Sequence, residues 1–182
     1  MTTNCSDISV AVFLGLGSNQ EHRESILDSA VARLSSILDC LRVSSYYESD
    51  PLYVTEQPRF LNAVVTGCTE MEPRRLLTVI HEIERSHGRD RSVETPKGPR
   101  TLDIDILLYG DRQISEPDLR IPHPGMLERR FVLEPLIEIA PHLIHPLTGR
   151  KLSTVLGRLG PQGVYLRRRN PYNGGTPGVH RR

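Results

Sequence analysis

The sequence predicts an α+β fold, specifically a ferredoxin-like βαββαβ sandwich with a mostly antiparallel sheet and a C-terminal extension. Three observations lead there. Apolar, β-branched runs and helical spacings follow each other in the order β-α-β-β-α-β. Two of the strand-like runs are consecutive, and parallel neighbours would need a long crossover between them, so an all-parallel sheet does not fit. Finally, 182 residues with 37% hydrophobic and 25% charged side chains suit one domain with a real core.

Each element has its own reason. Ile8–Leu14 is a short β-branched run, closed by Gly15 and Gly17. From Glu21 to Leu38 the apolar residues Ile26, Leu27, Ala30, Val31, Leu34, Ile37 and Leu38 recur at helical spacing, giving one buried face. Leu41–Glu48 alternates weakly and reads as a strand. Ser49–Arg59, with Pro51 and Pro58, reads as a loop, and Phe60–Thr69 as the next strand. Pro73 suits the first turn of a helix and Gly88 its C-terminal cap, with Leu76, Leu77, Ile80 and Ile83 on the core face. Arg89–Pro99 is charged and proline-bearing, a loop expected to be mobile. Thr101–Tyr109 is a strand, and Leu127–Ile139 is helical in part, interrupted at Pro135.

Composition narrows the function. The stretch from Gly157 holds six arginines and no acid, so the rest of the chain is net acidic although the whole carries +1. An acidic body argues against a nucleic-acid-binding surface across the domain. No apolar run approaches the roughly 20 residues that span a bilayer, and the N-terminus lacks the pattern of a signal peptide, so a cytoplasmic location is expected. Cys5, Cys40 and Cys68 show no metal-ligand spacing and are expected as thiols. The division expected is a domain over 1–156 and a poorly ordered Arg/Gly/Pro-rich tail over 157–182.

The chemistry concentrates in GPRTLDIDILLYG, residues 98–110. Asp is depleted in strands, yet Asp103 and Asp105 alternate with Ile and Leu. Side chains alternate across a strand, so Leu102, Ile104, Ile106 and Leu108 are expected on one face, and Thr101, Asp103 and Asp105 on the other. Two adjacent carboxylates either form a solvated, arginine-paired face or hold divalent ions such as Mg²⁺, which takes oxygen ligands and is completed by phosphates. Arg89, Arg91, Lys97 and Arg100 precede the pair, and Arg129 and Arg130 follow it. Guanidinium groups bind phosphate oxygens bidentately. No Walker A pattern and no kinase-type glycine loop is present, so a polyphosphate needs a different scaffold. His81 and Glu84 are either a polar helix edge or a wall for a nucleotide. Phe60 and Asn62 are either core, or a stacking ring beside an amide suited to a flat, hydrogen-bonding heterocycle. An RNA-recognition sheet would need aromatics and basic residues where this chain places acids. A different metal-dependent nucleotidyl or phosphoryl transferase on the same fold stays open.

The blocks GLGSN, SDPLYVTEQPRFLNAV, GRDR, GPRTLDIDILLYG and IPHPGMLERRFVLEPLIEIAP together resemble the 6-hydroxymethyl-7,8-dihydropterin pyrophosphokinases of the folate pathway, in motif order from about Val10 to Pro146. The resemblance implies a ferredoxin-like fold, two Mg²⁺ ions with ATP as co-substrate, and transfer of the β,γ-pyrophosphoryl group of ATP to the pterin hydroxymethyl group with release of AMP. It also implies small-molecule partners only, no nucleic acid or membrane, and a monomer.

Position by position, the resemblance makes Asp103 and Asp105 the metal ligands and Arg100 a phosphate or catalytic-loop arginine. Arg89 and Arg91 correspond to loop arginines that close over the triphosphate. His81, Glu84, Ile106, His123 and Arg129 match positions lining the ATP site. Phe60 and Phe131 correspond to two rings that sandwich the pterin, Asn62 to the amide that reads its edge, and Ser49, Asp50 and Leu52 to the pocket loop. The chain departs from the family at Thr95-Pro96-Lys97, where members often carry Arg and Trp, and at Pro124, where many carry Tyr.

Overall fold

A computed structural model describes residues 9–52, 54–89 and 98–170. Along them run β1 (Val10–Ser18), α1 (Arg23–Leu34), β2 (Asp39–Val43), β3 (Tyr46–Ser49), β4 (Phe60–Thr69), α2 (Pro73–Ser86) and β5 (Asp103–Tyr109). A small hairpin follows, β6 (Ile114–Ser115) and β7 (Arg120–Ile121), then a 3₁₀ turn at Met126–Glu128. The last elements are α3 (Arg130–Ile139), α4 (Leu152–Leu156) and β8 (Val164–Arg168). The sheet runs β5-β1-β4-β3-β8, with β2 also paired to β4, and every pairing is antiparallel. The architecture is therefore α+β with an antiparallel main sheet.

Strand alternation builds two cores. Val12, Leu14 and Leu16 of β1, Leu61, Ala63 and Val65 of β4, and Ile104 and Ile106 of β5 face α1 and α2, where they meet Leu27, Ala30, Leu34, Leu76, Ile80 and Ile83. Phe13 and Val64 face the other way and pack with Leu133, Leu136 and Ile139 of α3 and Leu152 and Val155 of α4. The sheet is thus covered on both faces, but α3 covers only part of the second one. The uncovered part carries Gly15, Gly17, Asn62, Asp103 and Asp105.

Several expectations need correction. The first helix ends at Leu34, and turn hydrogen bonds such as Leu38 N–H to Leu34 carbonyl (2.9 Å) carry the chain on to β2. The strand expected over Leu41–Glu48 is broken at Ser44–Ser45. There the Ser44 hydroxyl accepts the Val64 N–H (2.9 Å), replacing a ladder bond, and the Ser45 N–H and hydroxyl turn to Glu138 of α3. Leu108 does not share a face with Ile104 and Ile106. A bulge opposite Phe13/Leu14 inserts Leu107, so Leu107 and Leu108 both join the α3 core while Tyr109 joins the other.

The helical stretch near 127–139 breaks at Arg129, which is extended (φ −115°, ψ 106°), and not at Pro135. Pro135 lies inside α3, where it costs one helical hydrogen bond, and it is buried on the same side as Leu133, Leu136 and Ile139. Cys68, buried in β4, is disulfide-bonded rather than a thiol, whereas Cys40 is a surface thiol. Within the stretch expected as tail, Val164–Arg168 forms β8 along the free edge of β3. Residues 171–182 lie outside the described residues.

Leu76 is fully buried where α2 meets the sheet. Leu76→Ala is expected to lower the unfolding free energy by about 2–5 kcal/mol, whereas Arg75→Ala on the exposed side of α2 should stay within about 0.5 kcal/mol. Urea denaturation of the two variants checks this; equal midpoints would show that α2 does not seal the core.

Candidate active site

The uncovered sheet face is the floor of a cleft of about 340 Å³. Its middle strand, β1, contributes Gly15 and Gly17, and the register sets Gly17 between Asp103 of β5 and Asn62 of β4, and Gly15 between Asp105 and Val64. The two glycines therefore leave bare peptide between an acidic strand and a polar one. A Cβ on Gly17 would come 3.6 Å from Asn62 Oδ1, and one on Gly15 would come 3.4 Å from the Leu107 side chain. The walls are the loop residues Ser49, Asp50, Leu52 and Gln57 on one side, and His123, Arg129 and Phe131 on the other.

The acidic end is built around Asp103. Its Oδ1 accepts from Arg89 Nη1 (2.6 Å) and its Oδ2 from Arg100 Nη1 (2.7 Å). Arg89 is in turn paired to Glu84, which is 1% exposed and also accepts the Ile104 N–H (2.9 Å). Burial would raise Asp103, but Arg100 and Arg89 hold its carboxyl below the ordinary range. Asp105 shares the face and behaves oppositely. Among the described residues no hydrogen-bond donor reaches it; its nearest partner is His123 Nε2 at 3.7 Å. Removal from bulk water, then the Asp103 carboxylate, push it up to about 7, while Arg129 pulls it partly back. Burial, reinforced by Arg129, pushes His123 down to about 4, so the ring is neutral at pH 7. Its Nδ1 accepts the Gly125 N–H (3.2 Å), which assigns the proton to Nε2, facing Asp105.

Asp105 is thus open to the cleft with no donor bonded to it among the described residues, and once ionised it only accepts. Beside Asp103 at i and i+2, it fits a hard divalent cation whose remaining ligands come from water and phosphate oxygens. Among the described residues no cluster of three or more His, Cys, Asp or Glu is arranged to enclose a metal. An open site of that kind needs the ligand's own oxygens to complete it.

The other end is aromatic. Phe60 and Phe131 both line the cleft, and Arg129 lies over the Phe131 ring at 5.9 Å. Asn62 Nδ2 donates to Ser49 Oγ (2.9 Å) and to the Tyr47 carbonyl (3.2 Å). Both amide hydrogens are spent on the protein, so Oδ1 is left to accept a hydrogen bond from a ligand lying over Gly17.

The fold brings together most of the residues singled out from the sequence. Ser49, Asp50, Leu52, Phe60, Asn62, Arg89, Arg100, Asp103, Asp105, His123, Arg129 and Phe131 all line this one cleft. Three do not. Glu84 lies behind Arg89, His81 is on α2 outside the lining, and Ile106 turns its side chain into the α1/α2 core. Arg89, assigned from the sequence to a loop that closes over the triphosphate, is here paired with Glu84 and Asp103. Arg91 and the Thr95–Lys97 departure lie outside the described residues. Sequence reasoning missed Asn19. It is 1% exposed, its Nδ2 donates to Gln57 Oε1 (2.9 Å) and the Pro58 carbonyl (3.2 Å), and its Oδ1 accepts the Arg100 N–H (2.8 Å). An Asn directly after the strand-ending GLGS was the available signal.

Comparison with known proteins gives consistent matches. A family model described as 7,8-dihydro-6-hydroxymethylpterin-pyrophosphokinase (HPPK) matches residues 13–141. The chain is 40% identical over 141 residues to the 2-amino-4-hydroxy-6-hydroxymethyldihydropteridine pyrophosphokinase of Aquifex aeolicus, covering 78% of this chain and 87% of that protein. It is 39% identical over 150 residues to the folic acid synthesis protein fol1 of Pneumocystis carinii, covering 82% of this chain but 20% of that protein. The wild-type HPPK-DHPS of Plasmodium falciparum with STZ-DHP has a similar fold, with TM-score 0.68 and 16% identity over 82% of this chain and 43% of that one. The chain spans about a fifth of the length of the fungal relatives it matches.

The Asn19 amide joins the loop at Gln57–Pro58 to the backbone of Arg100. Asn19→Ala leaves the buried Arg100 N–H without its acceptor, which should cost about 1–3 kcal/mol of stability. Hydrogen exchange at the Arg100 amide is expected to accelerate more than at Val12 or Val65 in the core. Unchanged protection at Arg100 would show that another group holds it.

Proposed function

Because the chain belongs to the family of 7,8-dihydro-6-hydroxymethylpterin pyrophosphokinases, we propose that it transfers the β,γ-pyrophosphoryl group of ATP to the hydroxymethyl group of 6-hydroxymethyl-7,8-dihydropterin, releasing AMP, in folate biosynthesis. The observation that carries this reading is the division of one cleft. Carboxylates and arginines gather at one end, two phenylalanines and an amide acceptor at the other, with a floor of glycine backbone between them.

Chemically, the hydroxymethyl oxygen forms a bond to the β-phosphorus as the bond from that phosphorus to the α-phosphate oxygen breaks. The hydroxyl proton passes to solvent, and AMP leaves. Mg²⁺, two ions on this reading, would supply charge neutralisation for the phosphates when bound with ATP. Asp103 and Asp105 are the residues that would hold them. Arg89, Arg100 and Arg129, with Arg91, stabilise charge on the transferred group and on departing AMP. Neutral His123, its Nε2–H directed at the acidic end, donates to a phosphate or carboxylate oxygen without adding charge. Ile106 contributes main-chain groups, since β5 is an edge strand and the neighbouring Ile104 N–H already turns outward to Glu84. His81 and Glu84 act at one remove, Glu84 by fixing Arg89.

Phe60 and Phe131 clasp the pterin, and Asn62 Oδ1 accepts from its donor edge. The pocket loop Ser49, Asp50 and Leu52 closes that end. With β2 and β3 taken as one interrupted strand, the order β5-β1-β4-β2/β3 supports the ferredoxin-like assignment, extended by β8. We therefore extend the pyrophosphokinase domain past residue 156 to include β8. We also take the protein to act as a cytoplasmic monomer on small molecules, without nucleic acid. No helix among the described residues is long and apolar enough to cross a membrane.

Incubation with ATP, Mg²⁺ and 6-hydroxymethyl-7,8-dihydropterin should release AMP. Release of ADP would replace this reading with a simple phosphoryl transfer. Asp105→Ala is expected to lower kcat/KM by about a thousandfold or more, a loss of several kcal/mol at a metal ligand. Its melting temperature without metal should hold or rise, since a carboxylate lacking a donor is removed. Phe60→Ala should raise the pterin KM by about tenfold and the ATP KM by less than twofold, from stacking worth about 1–3 kcal/mol. Equal effects on both substrates would return Phe60 to the core.

A further inference from the structure

The segment between α4 and β8 serves no step described above, yet it touches both walls of the aromatic end. Gln162 Oε1 accepts the Arg130 N–H (2.8 Å), and its Nε2 donates to the Glu128 carbonyl (2.8 Å). The Arg130 N–H is one of the donors that the start of a helix leaves unsatisfied. Gln162 therefore caps α3 from outside and bridges the residues flanking Arg129, one step from Phe131. The next residue holds the opposite wall. The Gly163 carbonyl accepts the Asp50 N–H (3.0 Å), directly beside the Ser49–Val164 pairing.

Position 163 accepts only glycine without strain. Its φ is +58°, and a Cβ there would lie 2.0 Å from Asp50 Oδ2. Asp50 Oδ1 is further paired with Arg59 Nε (2.8 Å), and Arg59 lies over the Tyr165 ring of β8 at 5.3 Å. Beyond these contacts the strand is anchored away from the cleft. Arg168 stacks on Tyr46 at 4.3 Å and pairs with Asp28 (2.6 Å), and the Asn170 side chain donates to the Val43 carbonyl (2.7 Å). Two consecutive residues thus connect the origin of α3 to the pocket loop, while neither lines the cleft.

We propose that Gln162 and Gly163 are positioning residues: a brace that fixes the distance between Phe131 and the Ser49–Leu52 loop, and so how tightly the flat ring of the second substrate is held. The identity of that ring as a pterin rests on the pyrophosphokinase reading. The brace acts through Phe131 and Asp50 at the aromatic end, and it reaches Arg129, which serves the phosphate end, only through the backbone on either side of that residue. Its effect therefore separates the two substrates, which a general loss of stability would not do.

The test uses Gln162→Ala, Gln162→Glu and Gly163→Ala in the full chain. Three quantities are read: the KM of each substrate, the affinity for fluorescent 6-hydroxymethylpterin with Mg²⁺ and α,β-methylene-ATP present, and the melting temperature. Gln162→Ala, which removes two hydrogen bonds, is expected to raise the pterin KM and Kd by about fivefold to tenfold, with the ATP KM within twofold. Gln162→Glu keeps the acceptor for Arg130 and should recover part of the loss. Gly163→Ala should act in the same direction and more strongly, since it displaces Asp50.

Pterin values within twofold of the unsubstituted chain, in a folded Gln162→Ala protein, overturn the brace. So does a parallel rise in both KM values. An unsubstituted chain that releases no AMP overturns the activity reading instead; fluorescence binding is read without turnover and still judges the brace.

Discussion

Much of this structure depends on one relay of buried charge, from Glu84 through Arg89 to Asp103 and on to Arg100. Each link is expensive alone, because a charge removed from water must recover its hydration from its partners. Together the links join the end of α2, the first residues after it, the segment before β5 and β5 itself. Glu84 also accepts the Ile104 N–H, so the relay closes part of the sheet's open edge. The same contacts aim two guanidinium groups at the cleft before any ligand arrives. Preorganised charge of this kind costs no rearrangement at the moment of reaction.

Asp103 and Asp105 are two residues apart on one strand face, yet the fold gives them opposite electrostatics. Two arginines hold Asp103 ionised, whereas Asp105 faces a neutral imidazole and the negative Asp103. Sequence spacing alone makes them equivalent. The difference comes from residues distant in the chain: Arg89 just after α2, and His123 brought beside β5 by its N–H bond to the Leu107 carbonyl (2.9 Å). Before any ligand binds, one carboxylate is engaged by the protein's own cations and the other is open to the cleft.

What could be read in the sequence was periodicity. The alternation put Asp103 and Asp105 on one face of their strand and Phe60 and Asn62 on one face of theirs, and the sheet register then brings both pairs to the same cleft. Periodicity fails where the chain changes phase. The bulge at Leu107 sends Leu108 to the other core, and Ser44–Ser45 splits a strand by offering a hydroxyl in place of a ladder bond. Arg129, not Pro135, breaks the helix: its backbone is extended and its side chain lines the cleft. β8 was illegible for another reason: arginine and glycine mark a polar tail locally, and only Asp28, Tyr46 and the edge of β3, far away in sequence, make a strand of it. Asn19 and Gln162 share that limitation, since the bonds that give them meaning are long-range.

The bare floor of the cleft bears on how the site can change over time. Gly15 and Gly17 present peptide backbone, and backbone cannot be altered by exchanging a side chain. Any replacement there can only add atoms, toward Leu107 at one position and Asn62 at the other. Such atoms would intrude on the natural ligand and on an inhibitor alike. A compound that draws its contacts from this floor, rather than from the loop at Ser49–Leu52, would leave the protein few routes to resistance that spare its own chemistry.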